Sequence, residues 1–486
     1  MPYKTHPMNR FFCLALFCLL PVFCFAHSGK ARFHIVVDTD GAADDLRALC
    51  MLLGNREAEI LAVTTSDGAC TPARSAAAVS GLLRTLYHEG IPVGCGRPTC
   101  TTPPPWRAMS EQIDWGGPAA VAEWPDAPEL LAATIENEEE PIVVLALGAL
   151  TNIDDLLAAR PALKHRIARI VWYNDCDRPL ESANYGADPE AARRVLACGI
   201  PIAVVSQAPG SPIRISPAWL DSVACVPTPY ARRIAATHRR PPLSRSIARR
   251  HLRAWDDLAV LYLFAPERFE HRPLTPDVTA CTPHDLDETA FCTATLALLR
   301  GKPDAESRVF YGFPLDPACY AEDVRPALEQ ALALHGPSEW RAAVLTNELH
   351  GHLGIYATIG VKMGIRAREY FDIGVDDIEA TTYAGHRPPV SCMNDGLQVG
   401  TGATVGHGLL RVAECDAPRP EAQFRFKNRT IRLRLKPEYA TRIRRDVERG
   451  IRLHGADTEP YWQYIRALAL RYWVEFDRHE IFELTE

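Results

Sequence analysis

The feature that most constrains the fold is a rhythm of short apolar runs set between helix-patterned stretches. His34-Ile35-Val36-Val37, Ile60-Leu61-Ala62-Val63-Thr64-Thr65, and the runs at 142–147, 167–172 and 200–205 are largely apolar, with many β-branched residues. Runs that are apolar on both faces must be covered on both, the condition of a parallel sheet between helices. The expected fold class is α/β: a mostly parallel sheet flanked by helices, followed by a smaller α+β domain. With 486 residues, two or three domains are expected. A 47% hydrophobic and 23% charged composition excludes a wholly disordered or fibrous chain. The net charge of -7 carries no basic excess, so nucleic acid is not an expected partner.

The N-terminus carries a separate signal. Lys4 and Arg10 precede an apolar run at 11–25, which ends in Cys24-Phe25-Ala26-His27-Ser28. The run is short of the ~20 residues of a membrane helix. It reads as a secretory signal spanning 1–26 and cut near Ala26, which places the mature chain in the periplasm or outside the cell. An uncleaved anchor is the alternative. No later run is long and apolar enough to span a bilayer. Export permits disulfides, but 15 cysteines in this length make no disulfide scaffold, and there is no CxxC pair. Cys50 and Cys198 lie in apolar helix-like stretches, as buried free thiols do.

The first strand runs into Asp38-Thr39-Asp40-Gly41-Ala42-Ala43-Asp44-Asp45. Ligands in open α/β sheets bind beyond the carboxyl ends of the strands. Four carboxylates this close repel one another unless a cation or hydrogen-bond donors neutralise them. Hard oxygen ligands suit Ca²⁺ or Mg²⁺. The spacing does not fit an EF-hand, which needs a Glu at the loop's end and a helix before it. The plainer alternative is an acidic loop capping a helix.

These residues resemble the signature of the inosine–uridine-preferring nucleoside hydrolases. Four further segments are similar to that family: Pro92-Val93-Gly94-Cys95-Gly96 as a pocket-rim loop, Leu147-Gly148-Ala149-Leu150-Thr151-Asn152, Asn184 with Asp188-Pro189-Glu190-Ala191-Ala192, and Trp255-Asp256-Asp257-Leu258-Ala259-Val260. The resemblance implies one bound Ca²⁺, held by Asp40, Asp45, the backbone carbonyl of Thr151, and Asp256. It implies that Asp40 is the catalytic base, that Asp44, Asn184 and Asp256 bind the sugar hydroxyls, and that Asp38 supports them from behind. Four positions depart from the family pattern. Gly41-Ala42 stands for Pro-Gly, Ala69 for an Asn, Ser182-Ala183 for Glu-Phe with Glu181 one position out of register, and Trp255 for a His that often protonates the leaving base.

His238, His251 and Trp172 are candidates to line the pocket, although the Arg249-Arg250 neighbours also suit His251 to a solvated helix face. Residues 230–253 are basic, with Arg232, Arg233, Arg239, Arg240, Arg245, Arg249 and Arg250. They read as a solvated helical insertion over the pocket. The alternative is recognition of an acidic substrate group by arginine forks.

The hydrolase-like domain is expected over 30–335, with Phe310-Tyr311-Gly312 and the stretch up to Leu334 as its last strand and helix. A second domain is expected over 338–486. There His350-Gly351-His352, Cys392 with Asp395 and Gln398, and Thr401-Gly402 with Thr404 and Gly406 resemble the FmdE-type family, named after a component of formylmethanofuran dehydrogenase. His350, His352 and Cys392 are a candidate second metal site for a transition ion such as Zn²⁺. The alternative is that the two histidines only cap or hydrogen-bond a helix start. Gly354 and Ala403 stand where the family has cysteines. The alternating pattern at 423–435 predicts a hairpin, and the aromatic stretch at 458–486 predicts a helix packed by Trp462, Tyr464, Tyr472 and Trp473.

The function expected is hydrolysis of an N-glycosidic bond in a nucleoside or related ribosyl compound by an exported, Ca²⁺-dependent enzyme. Two alternatives remain: a ribosyl-ligand binding protein with a degenerate site, and a metal-dependent activity seated in the C-terminal domain. The expected partner is a small nucleoside-like molecule, with no bilayer-spanning segment after signal removal. Assembly as a homo-oligomer stays open.

Overall fold

The computed structural model describes residues 31–100, 102–117, 123–174, 182–208, 210–301, 309–415 and 417–486. The expected signal and Glu181 lie outside them.

The apolar runs form strands where the pattern places them: β1 (Phe33–Thr39), β2 (Ala58–Thr65), β3 (Val93–Cys95), β4 (Ile142–Ala146), β5 (Ile167–Tyr173) and β6 (Ile202–Val205), joined by β7 (Phe269–Pro273) and β8 (Val278–Pro283). They make one eight-stranded sheet in the order β3-β2-β1-β4-β5-β6-β8-β7. Every pair is parallel except β7 on β8. All of β1 is buried, as both-face coverage requires. Val93-Gly94-Cys95, expected in a rim loop, is instead the edge strand β3, and the rim begins after it. Chain order reverses between β1 and β4, so the loops after these two strands part and leave a crevice at their carboxyl ends.

The smaller body has a five-stranded sheet of β9 (Glu379–Thr382), β10 (Leu410–Val412), β11 (Glu421–Phe426), β12 (Arg429–Leu435) and β13 (Phe482–Thr485), in the order β10-β9-β11-β12-β13. The expected hairpin is β11–β12. The Ile355–Phe371 and Met393–Thr401 helices pack at backbone contact, which explains their small residues. A Cβ on Gly360 would lie 2.2 Å from the Met393 carbonyl oxygen, and one on Gly396 2.0 Å from that of Ala357. Tyr472 and Trp473 are core residues of the Glu459–Glu475 helix, whereas Trp462 is exposed.

No strand forms at 310–312, where the side chains of Phe310 and Tyr311 are exposed. The helical run Arg325–His350 breaks at Gly336, whose φ is 83°. Its first half packs Ala327, Leu328 and Ala331 with Trp340, Val361 and Trp473, hence with the smaller body rather than with the large sheet.

The two bodies meet at the amino-terminal ends of the parallel strands. Gly90 N–H donates to the Tyr370 carbonyl (2.9 Å), Arg366 forks onto Glu89 (3.1 and 3.2 Å), and Tyr87 stacks on His479. From the β11–β12 turn, the Lys427 ammonium reaches both Glu59 and Glu138, which also flank His34. Burial opposes the charge of Glu138, but hydrogen bonds from His34 and Lys427 outweigh it and hold the carboxyl at about 2. Such a depressed carboxyl stabilises the fold above its unfolded value near 4.5 and loses that contribution as pH falls towards 2. Lys427→Ala is therefore expected to cost about 1–3 kcal/mol at pH 7, between the exposed and fully buried limits for an ion pair. The cost should shrink below pH 4. Urea unfolding of both proteins across pH 3–8 measures this, and a pH-independent difference would contradict it.

Candidate active site

β1 ends in a turn built around its own side chains. Thr39 Oγ1 donates to Asp45 Oδ1 (2.5 Å), and so does Asp40 N–H (3.1 Å). Gly41 sits at φ 78°, with a Cβ position only 2.4 Å from Ser75 Oγ, so both conformation and space require glycine there. Asp40 is held by backbone donors: Oδ2 accepts from Ala69 N–H (2.8 Å) and Oδ1 from Ala42 N–H (3.3 Å). Behind it, Asp38 Oδ2 accepts from Thr64 Oγ1 (2.6 Å) and Asn152 Nδ2 (2.7 Å), tying β1 to β2 and to the helix after β4.

Asp44 and Asp45 open the next helix, and Asp256 opens another, Asp256–Phe264. All three are buried, and a carboxylate oxygen from each lies within 4.8 Å of the others. Asp256 Oδ1 is buried without a hydrogen-bond partner. The nearby buried cation makes no direct bond to them: its charge eases Asp44, but Arg47 forks onto Asp257 through two bonds of 2.6 Å. Burial and then mutual repulsion raise Asp40 and Asp256 well above the ordinary carboxyl range, and Asp44 to about 7. Burial also raises Asp45, and raises Asp38 to about 6. Converging hard oxygens with an orphaned acceptor fit a divalent cation. Asp44, Asp45 and Asp256 form the tightest set, with Asp40 beside them.

Asn184 Nδ2 donates to the carbonyls of Leu147 (2.8 Å) and Tyr173 (2.9 Å), past the ends of β4 and β5, which leaves its Oδ1 for a ligand. Thr151 is buried and its hydroxyl donates to Asp188 Oδ2 (2.9 Å). It does not line the cavity.

Asp40, Asp44, Asp45, Asn184 and Asp256 open onto one lobe of a cavity, of about 700 Å³. A second lobe of about 790 Å³, walled by residues 97–100 and 102–106 and by Asp188 and Arg194, joins it at Asp40, Ala69, Trp106, Ala183 and Asn184. Two of these shared positions, Ala69 and Ala183, are where the chain has small residues for the family's larger ones. His251 lines the first lobe. Trp172 and His238 do not. Trp172 is buried with Nε1 donating to the Gly148 carbonyl (3.0 Å). His238 donates from Nδ1 to the Ile234 carbonyl and accepts from Arg47 at Nε2 (2.9 Å each), and burial with that charge lowers it to about 3. None of the seven arginines singled out in 230–253 lines the cavity. Arg239, Arg240 and Arg250 pair with Asp221, Asp114 and Glu288 instead.

The second candidate metal set is not assembled. Among the described residues His350, His352 and Cys392 do not bring ligand atoms within 4.8 Å of one another. His350 Nδ1 donates to Asp395 Oδ2 (2.7 Å) and its ring lies 4.4 Å from that of His352, while burial and the Asp395 charge raise the Cys392 thiol. The other metal-like cluster, His34 with Glu59 and Glu138, holds the Lys427 ammonium. Every described cysteine is a free thiol.

The sheet order and the aspartate site together define an enzyme of the N-glycosyl hydrolase class. Residues 35–311 match the model of the inosine-uridine preferring nucleoside hydrolases, and the chain belongs to that family. Residues 349–482 match the model described as FmdE, of the molybdenum formylmethanofuran dehydrogenase operon. A pyrimidine-specific ribonucleoside hydrolase of Shewanella baltica is 30% identical over 256 residues, which are 49% of this chain and 79% of that protein. Its counterpart in Klebsiella pneumoniae is 28% identical over 41% of this chain and 68% of its own length. A purine-preferring ribonucleoside hydrolase from Gardnerella vaginalis superposes with a TM-score of 0.47 at 17% identity, over 55% of this chain and 99% of that one.

In the cation-free protein the raised carboxyls favour folding most below the unfolded carboxyl range near pH 4, and that contribution is lost as pH rises through about 6 to 7. A cation reverses the loss. Calcium at a fixed concentration, ~100 times its dissociation constant at pH 8, is expected to raise the melting temperature by about 3–5 °C at pH 8, and by less at pH 5 where protons compete for the carboxylates. Thermal melts with calcium and with chelator at both pH values check this. An equal shift at both, or none, would contradict the site.

Proposed function

We propose that the chain is an exported, Ca²⁺-dependent hydrolase of the N-glycosidic bond of ribonucleosides or a closely related ribosyl compound. The observation that carries the reading is the convergence of Asp44, Asp45 and the unpartnered Asp256 Oδ1 on a cavity that also presents Asp40 and Asn184. Asp40, Asp45 and Asp256, with Asp44 at hand and the Thr151 carbonyl behind, would hold the cation. When bound, it supplies charge neutralisation and Lewis acidity at the reacting centre.

The remaining chemistry falls to the chain. Asp40, oriented by Ala42 and Ala69 N–H, is suited to take the proton of the attacking water. Asp44 and Asn184 Oδ1 accept from sugar hydroxyls and fix the ring. Departure of the base develops positive charge on the sugar, as at other glycosyl centres, and the surrounding carboxylates favour it electrostatically. The rings of Trp106 and Trp255 offer apolar faces to the base. Relatives named as pyrimidine-specific make a pyrimidine ribonucleoside the first substrate to test. Export is supported by the apolar run at 11–25 ending at Ala26.

The test is release of free ribose from a nucleoside panel by the mature protein. Turnover should stop with chelator and return with calcium. Asp40→Asn should lower kcat by about 100-fold or more while nucleoside binding, read by calorimetry, persists. Binding without release by the calcium-loaded wild type would overturn the hydrolase reading in favour of a binding protein.

A further inference from the structure

Trp255 occupies the position from which a histidine would protonate the leaving base, and an indole cannot transfer a proton at neutral pH. We infer that His251 is the general acid of this site, delivering a proton to the departing base from the opposite end of the same short segment. This rests on the hydrolase reading above.

The placement follows from the backbone. The Leu243–Ala248 helix ends in a turn in which Arg250 N–H donates to the Ile247 carbonyl and His251 N–H to that of Ser246 (both 2.9 Å). Arg250 adopts φ 55°, an unusual conformation for a non-glycine residue, and it redirects the chain at this point. Residues 252–254 are then fastened along 213–215. Ile215 N–H donates to the Leu252 carbonyl and Ala254 N–H to that of Ile213 (both 3.0 Å), while Arg47 donates to the Arg253 carbonyl (3.2 Å). The segment is therefore held rigidly between the Leu243–Ala248 helix and Asp256.

His251 faces the lobe that Asp40, Asp44, Asp45 and Asp256 line, with Arg253, Ser246 and Trp255 beside it. It is the one histidine lining either lobe, and its ring has no hydrogen-bond partner among the described residues. Both nitrogens are thus free to meet a ligand. The other nearby histidine, His238, is locked against Arg47 and cannot serve.

The proton balance closes without a co-reactant. As the C–N bond breaks, its electron pair passes to the base, and the His251 imidazolium gives its proton to a ring nitrogen or carbonyl oxygen of that base. Water adds its hydroxyl to the anomeric carbon and gives its proton to Asp40. Solvent returns one proton to the imidazole and takes one from Asp40.

The test compares leaving groups. His251→Ala and His251→Gln are assayed on a ribonucleoside, whose base needs a proton to leave, and on 4-nitrophenyl β-D-ribofuranoside, whose aryloxide does not. The expected result is a fall of about 100-fold or more in kcat on the nucleoside, with aryl riboside turnover within about threefold of wild type. Retained aryl riboside turnover also shows that the variants fold. Equal losses on both substrates, or no loss on the nucleoside, would overturn the role of His251 and leave the hydrolase reading intact. Turnover of neither substrate by the calcium-loaded wild type would overturn both.

Discussion

The carboxylates of Asp44, Asp45 and Asp256 converge in a buried space where the buried guanidinium of Arg47 is already engaged. This constraint organises the large body. Each neighbouring acid has been given its own neutraliser: Asp38 has Thr64 and Asn152, Asp257 has Arg47, and Asp188 has Thr151 and a helix N-terminus. The three that remain crowd one another. A chain does not keep such a cluster for stability, because buried like charges raise each other's proton affinity and oppose folding at neutral pH. The arrangement makes physical sense as a cation nest at the crevice where the sheet reverses direction.

The smaller body is fastened to the opposite end of the sheet. Its contacts fall on Arg56, Glu59, Tyr87, His88, Glu89, Gly90 and Glu138, near the starts of β2, β3 and β4, and among the described residues it contributes none to the cavity. The Lys427 ammonium between Glu59 and Glu138 does for this edge what a cation would do for the aspartate nest, with a covalently attached charge in place of an ion.

Much of the site could be read from residue order because its parts sit at strand ends. Asp38 to Asp45 follow β1, Leu147 to Asn152 follow β4, and Asp256 opens a helix, so local pattern places each at the same sheet edge. Arg47 gave no such signal. It looks like a polar interruption of an apolar helix, and its partner Asp257 is 210 residues away. In sequence both His238 and His251 sat in a basic stretch, and the Arg249-Arg250 neighbours suited His251 to a solvated helix face. The fold buries the first against Arg47 and turns the second into the cavity through the left-handed Arg250. Whether His350, His352 and Cys392 meet could not be read from the sequence, because spacing along a chain does not show which side chains converge. Asp395 accepts from His350 Nδ1, and its charge also reaches the Cys392 thiol.

The amino-acid sequence by itself determined the elements and their chemistry. Runs apolar on both faces can be satisfied only inside a covered parallel sheet, and clustered carboxylates demand neutralisation wherever they lie. Only the tertiary structure decided which groups neutralise which. It spent Arg47 on Asp257, left Asp256 Oδ1 open, opened the cavity past Ala69 and Ala183, and set Lys427 against an edge 368 residues distant from it in sequence. The reason is physical: backbone preference and burial act over a few residues and leave a pattern in the sequence, whereas ion pairing acts through space between groups whose proximity exists only after the chain has folded.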